Sequence, residues 1–317
     1  MTWYYPFVVI AAGALLGLIK FPRIVFRIAD YAGNVALVAL MLSIGASVGA
    51  DEKIISNLGG IGLECAVICL FAMFLSILFV ILLEKTVLPL ESLKKKLLDE
   101  KIEAGAEVKI DSEEKRSPLG WIISASIVLG VAAGYFFIPP ELLDAVNKCF
   151  LVSITILFVT IGVSLSQNRG VFQYIKKLGA RVILLPLAIF SGSLIGGGAA
   201  ALLLGIEPYI AVLSASGMCY YSLTGALMTQ AYGMYIGTYG FLVNVFREFL
   251  TALLLPLLIK LGKGSPIASG GAADMDVLLV PISKTLGVEL GFIALITGII
   301  LSFAVPVFFP VLMRVFG

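Results

Sequence analysis

No histidine occurs anywhere in the 317 residues. That absence excludes His-based general acid/base chemistry, His-ligated metal sites and the HExxH class together. Charge is scarce too: 13% of residues are Asp, Glu, Lys or Arg, against 60% hydrophobic. With a mean hydropathy of +1.08, the composition lies far outside the soluble globular range. The four cysteines, Cys65, Cys69, Cys149 and Cys219, fall within or at the ends of apolar runs and read as small apolar filling. The opening "MTWYYPFVVIAAGALLGLI" lacks a basic leader and a small-residue cleavage site, so it reads as a retained first span. A net charge of +2 carries no message about nucleic acid, and no nucleic-acid partner, cofactor or metal is expected.

What is present is a series of apolar runs near the ~20 residues that cross a bilayer as a helix. Hydropathy places spans at about 4–20, 31–50, 60–83, 119–138, 149–166, 181–204, 209–230, 235–260 and 287–313. Positions 264–286 are too short and Gly-rich for an ordinary span, and read as a loop, a half-helix or a re-entrant hairpin. Basic residues concentrate in alternate connections: Lys20, Arg23 and Arg27; then Lys94, Lys95, Lys96, Lys101 and Lys109 among others in 84–118; then Arg169, Lys176 and Lys177. The positive-inside rule then predicts an outside N-terminus and a cytoplasmic, solvated 84–118 loop.

A repeat underlies this pattern. Ser43-Ile44-Gly45-Ala46-Ser47-Val48 resembles Thr160-Ile161-Gly162-Val163-Ser164-Leu165, 117 positions on. At the same spacing and without a gap, Gly13 and Gly17 match Gly130 and Gly134, Pro22 matches Pro139, and Gly62 matches Gly179. Each copy holds three spans, an odd number, so the copies must be inserted upside down, the sequence mark of alternating-access transporters. The two GxxxG steps permit close helix approach, including a possible homodimer. The predicted fold is an all-α polytopic membrane protein of about 8–9 transmembrane helices. Its organisation is a first three-span repeat (1–83), the charged loop (84–118), a second inverted repeat (119–204) and a C-terminal transport-site region (205–317) with broken or re-entrant segments.

The chemistry-bearing residues all lie in that last region. Ser214 to Gly225, "SASGMCYYSLTG", is crowded with small and hydroxylic residues inside a span. It reads either as tight packing or as a broken helix whose freed backbone groups bind a solute. Asn244, Arg247 and Glu248 sit in the middle of the next span. An ionised side chain there costs roughly 2.5–3.5 kcal/mol. Neighbouring helix positions point about 100° apart, so Arg247 and Glu248 do not simply neutralise each other. They mark either a buried ion pair that sets register or a substrate and proton site. Asp274 and Asp276 follow in "SGGAADMDVLLVP", with no Lys or Arg beside them. If that segment re-enters the membrane, Asp276 joins Glu248 in a shared cavity where a proton can be traded for a cation.

Taken in order, Ser216-Gly217, Tyr221-Ser222-Leu223-Thr224-Gly225, Gly233, Gly237, Arg247-Glu248, Gly271-Ala272 and Met275-Asp276 resemble the bacterial lysine exporter family, LysO-type. The resemblance is residue-level over about 210–285. It implies export of L-lysine, and of analogues such as thialysine, across the bacterial inner membrane by proton antiport. It also implies that Glu248 and Asp276 are the family's intramembrane acidic residues. Asp274 departs from the family pattern, which has a small polar residue there. The candidate substrate-binding and proton-coupling set is therefore Glu248, Asp276, Arg247, Asn244, Asp274, Ser216, Gly217, Tyr221, Ser222, Thr224 and Gly225. The partners are L-lysine, protons and the lipid bilayer. The competing functions are a cation/proton antiporter or another small-solute transporter of related design. A more remote one is an intramembrane aspartyl protease, whose Gly-x-Gly-Asp signature is missing: the chain reads Gly271-Ala272-Ala273-Asp274.

Overall fold

The computed structural model of the chain describes residues 5–18, 23–94, 118–139, 142–167 and 179–316. The repeat regions supply α1 (Tyr5–Leu18), α2 (Arg23–Ala50), α3 (Glu52–Thr86), α4 (Pro118–Phe137), α5 (Leu143–Gln167) and α6 (Leu184–Leu204). A 3₁₀ turn, Ala180–Ile183, leads into α6. Then come α7 (Pro208–Ala215), α8 (Tyr221–Tyr232), α9 (Met234–Leu261), α10 (Ser265–Gly270), a second 3₁₀ turn (Gly271–Met275), α11 (Leu279–Leu286) and α12 (Val288–Phe316). Among the described residues, six helices are long and apolar enough to cross a membrane: α2, α3, α5, α6, α9 and α12. Helices α1 and α4 are shorter and apolar. The protein is an all-α polytopic membrane protein. Most of the 84–118 segment and the basic residues 169–177 lie outside the described residues.

The small residues of the repeat are used for helix contact inside the chain. A Cβ on Gly45 of α2 would lie 3.0 Å from Gly130 Cα of α4, and one on Gly130 would lie 3.0 Å from Gly45 Cα. The counterparts 117 positions away make the matching contact: a Cβ on Gly13 of α1 would lie 3.0 Å from Val159 Cα of α5, and one on Gly162 of α5 would lie 2.7 Å from the Ala14 nitrogen of α1. The α2–α4 and α5–α1 interfaces are therefore one interface built twice. The third pair closes the set. A Cβ on Gly192 of α6 would fall 2.6 Å from Ser76 Cα of α3, and one on Gly196 would fall 2.6 Å from Ala72 Cα. As the number rises along α6 it falls along α3, so these repeat-related helices run antiparallel and the copies are inverted.

Residues 209–230, expected as a crossing span, fold instead as a hairpin. The rings of Tyr209 and Tyr232 lie 5.0 Å apart at its mouth, and the Ser214 hydroxyl meets the Met228 sulfur at 3.6 Å farther in. The reversal comes at Ser216–Tyr220, where Met218 and Cys219 take φ of 46° and 76°, a region open to few non-glycine residues. Helix α9 runs back along α8, so close that a Cβ on Gly225 would fall 3.0 Å from Phe241 Cβ.

The segment 264–286 is a second hairpin, entering from the opposite end. On α12, a Cβ on Gly298 would lie 3.0 Å from Met275 Cβ and one on Gly291 2.7 Å from Ser283 Cβ, while the Tyr232 hydroxyl donates to the Met313 carbonyl at 3.5 Å. Helix α12 thus starts at the foot of α11, passes the second hairpin's tip and ends beside the mouth of the first. The tips touch: the Ala272 N–H donates to the Met218 carbonyl at 2.8 Å. These pairs carry a second internal repeat, which hydropathy did not reveal. Met218 and Ala272, Thr229 and Ser283, Gly233 and Gly287, and Gly237 and Gly291 are each 54 positions apart. Gly233 and Gly287, with φ of 87° and 92°, each end a hairpin and begin a long helix.

Because Gly192 sits on α3 backbone, Gly192→Val must push the two central helices apart, at roughly 1–3 kcal/mol. Gly198→Ala, whose Cβ would find its nearest atom only 4.0 Å away, leaves stability nearly unchanged. Thermal unfolding of the purified protein in detergent separates the two.

Candidate functional site

Arg247, 1% exposed, organises the centre. From α9 its Nε donates to the Ser269 carbonyl at 2.9 Å and its Nη2 to the Ala268 carbonyl at 2.9 Å. Both carbonyls belong to the last turn of α10, where no intrahelical donor remains and a cation is favoured. Its Nη2 also reaches the Ser76 hydroxyl of α3 at 3.3 Å, and Nη1 donates to the Ser193 hydroxyl of α6. Ser76 and Ser193 lie 3.2 Å apart. They are 117 positions apart, and so mark where the two inverted copies meet. Thr251, one turn along α9, bonds Ser269 at 2.6 Å. The guanidinium fork is filled by neutral oxygens of three other elements, so it does not pair with Glu248.

Asn244 holds the first hairpin open. Its Oδ1 accepts the Cys219 N–H at 2.8 Å, and its Nδ2 donates to the Ser214 carbonyl at 2.9 Å and the Gly240 carbonyl at 2.7 Å. The side chain thus satisfies a donor and an acceptor freed by the break. Gly217 makes room for it, since a Cβ there would fall 2.6 Å from Asn244 Nδ2. The hydroxyls of Ser216 and Thr224 donate to the Leu213 and Tyr220 carbonyls, each at 2.8 Å. Ser222 is buried, and Gly225 lets α8 lie against Phe241. These small residues shape the hairpin.

The carboxylates gather beside the joined tips. Glu248 is half-buried and has no hydrogen-bond or ion-pair partner among the described residues. Asp276 lies across from it on the second hairpin, close enough for the two charges to interact. Asp276 keeps exposed surface although protein surrounds most of it. Its Oδ1 accepts the Val277 N–H at 2.6 Å. Tyr221 lies within the field of both carboxylates and Tyr220 within that of Asp276. Tyr221 also stands edge-on to Phe241 at 5.7 Å. Asp274, by contrast, is 0% exposed, and neither of its carboxyl oxygens has a hydrogen-bond partner.

The sequence reading missed the hydroxyls around Arg247, although the 117-residue spacing of Ser76 and Ser193 was there to be found. It also missed Glu64 of α3, which accepts the Tyr239 hydroxyl of α9. At the far end of α9, the Lys263 ammonium pairs with Glu91 and holds that carboxyl below its ordinary value. No group of three His, Cys, Asp or Glu that could hold a metal occurs among the described residues.

Inverted repeats, two interrupted hairpins and a polar centre between them define a class: a polytopic α-helical membrane protein of the secondary-transporter kind. The family described as lysine exporter LysO matches residues 124–313, and the chain belongs to that family. It is 29% identical to the lysine exporter LysO of Escherichia coli (strain K12) over 181 residues, 57% of this chain and 60% of that protein. A putative lysine exporter of Haemophilus influenzae (strain ATCC 51907 / DSM 11121 / KW20 / Rd) is 27% identical over 182 residues, 57% of this chain and 92% of that protein. No solved structure matches the chain.

Replacing Asn244 by Ala strands the Cys219 N–H and the Ser214 carbonyl in a buried site, at roughly 1–3 kcal/mol per group. A fall in thermal stability well beyond that of Ser216→Ala, measured in the same detergent, is the expected result.

Proposed function

We propose that the chain exports L-lysine, and analogues such as thialysine, from the cytoplasm across the bacterial inner membrane in exchange for protons, by alternating access. The observation that carries this reading is the pair of carboxylates, Glu248 and Asp276. They come from different elements, lie near each other beside the hairpin tips and have no Lys or Arg partner among the described residues. A cationic solute fits such a pair better than an anionic one.

Lysine at neutral pH carries two ammonium groups and one carboxylate. Glu248 and Asp276 take the ammonium side. The first N–H groups of α8, beginning at Tyr221, are free of intrahelical partners and favour an anion, so they suit the substrate carboxylate. Arg247 acts on that carboxylate through its field, because its donors are engaged elsewhere. Moving a monocation out of a cell that is negative inside costs roughly 2.3 kcal/mol per 100 mV. One inbound proton per lysine cancels that charge movement and leaves the pH gradient as the driver. A carboxylate that holds either a proton or the ammonium, but not both, supplies the coupling. In this reading the 84–118 segment is cytoplasmic and the N-terminus outside. The crossing helices, six long and two short, then return the C-terminus to the side of the N-terminus.

In proteoliposomes loaded with labelled lysine, Glu248→Gln and Asp276→Asn should each lower proton-driven lysine movement by at least about 10-fold, the scale of one lost charge-assisted hydrogen bond. Wild-type rates in both variants would remove the site assignment. A wild-type protein that exchanges inorganic cations but no lysine would support a cation/proton antiporter instead.

A further inference from the structure

Asp274 stands apart from the other two carboxylates, and its surroundings select a ligand. It lies on the 3₁₀ turn Gly271–Met275, fully buried, with both carboxyl oxygens unpartnered. The carboxyl packs directly on Gly270, where a Cβ would fall 2.9 Å from Asp274 Cγ and 3.0 Å from a methyl of Leu278. Three charged or titratable groups act on it: Arg247 from α9, Cys219 from the tip of the first hairpin, and Asp276 from its own segment. Arg247 makes its hydrogen bonds to Ser269, Ala268, Ser193 and Ser76, none of them to Asp274. The thiol of Cys219 points its hydrogen at the Ser269 carbonyl, 3.9 Å away.

A buried carboxylate with no hydrogen-bond donor from the protein is strongly disfavoured. Packed on Gly270 beside Leu278 and 0% exposed, the carboxyl has no open space toward solvent. A proton is the one neutralising ligand that needs none. The route to water is also built in. Asp274 is two residues from Ala272, whose N–H joins the two tips through the Met218 carbonyl, and Gly271 holds the turn at φ 57°. Parting of the tips breaks that bond and opens the turn.

We infer that Asp274 is a dedicated proton-binding residue: it is protonated while the hairpin tips are joined and releases that proton to water when they separate. Resting on the export reading, this divides the labour. Glu248 and Asp276 exchange the ammonium for a proton, and Asp274 is the site through which that proton passes: it takes it from hydronium when the tips part outward, holds it while they are joined and gives it to cytoplasmic water when they part inward.

Two measurements on the full-length protein test it. Infrared difference spectra at neutral pH should show the C=O stretch of a buried protonated carboxyl in the wild type. The band should vanish in Asp274→Asn and persist in Asp276→Asn. In proteoliposomes, Asp274→Asn should lose lysine accumulation driven by a pH gradient, while lysine–lysine exchange falls far less. A band that survives Asp274→Asn overturns the inference, as does intact gradient-driven accumulation. Equal loss of both transport modes overturns it too, because it would mark Asp274 as a binding residue. Should Asp274→Asn fail to fold, Asp274→Ser serves for both readouts. A wild type that moves no lysine removes the export reading only, since the infrared band reports on Asp274 without substrate.

Discussion

A guanidinium group has five donors, cannot give up its charge, and at this depth has no bulk water to serve it. Arg247 meets that demand by drawing oxygens from three directions at once: the end of α10, Ser76 of α3 and Ser193 of α6. The scaffold helices and the second hairpin are thereby fastened to the same side chain. Displacing α10 strands the charge; separating α3 from α6 removes its hydroxyls. With the fork committed to neutral oxygens, Arg247 forms no internal ion pair with the neighbouring carboxyl groups.

Around this point the chain repeats itself twice. Six helices form two inverted copies whose small residues allow backbone to lie on backbone, and two hairpins with their following long helices form a second pair. The halves of the second pair share a shape but not a chemistry. At one break α9 supplies Asn244, which fills the donors and acceptors left by the interruption. At the equivalent place, 54 positions on, α12 has Gly298 pressed against the turn. The first tip is clamped by a side chain, whereas the second carries two aspartates and is held to the first by the Ala272–Met218 bond. That asymmetry suits an element that senses a cation or a proton.

Much of this was legible in the residues. Composition alone required a polytopic helical membrane protein, and the ungapped 117-residue spacing disclosed the inverted copies before any packing was known. Glu248 and Asp276 stood out because unpaired acids are expensive at membrane depth. Less legible was residue 209–230, whose apolar content matched a span while Met218 and Cys219, neither a usual residue for positive φ, reversed the chain. Hydropathy averages over a window and cannot register a reversal of direction, and the 54-residue repeat lies in a few spaced pairs that local similarity does not gather.

What the sequence determined by itself is therefore the solvent, the helices, the first symmetry and the presence of intramembrane charges that demand an explanation. Each depends on properties summed along the chain: transfer free energy, period and cost of charge. What only the tertiary structure decided is which partner each buried polar group found. Arg247 went to carbonyls and serines, Asn244 to a broken backbone, Glu248 and Asp276 to each other's neighbourhood, and Asp274 to none among the described residues. Hydrogen bonding in a waterless interior is settled by a few ångströms of approach between residues far apart in sequence, and no local pattern encodes that distance.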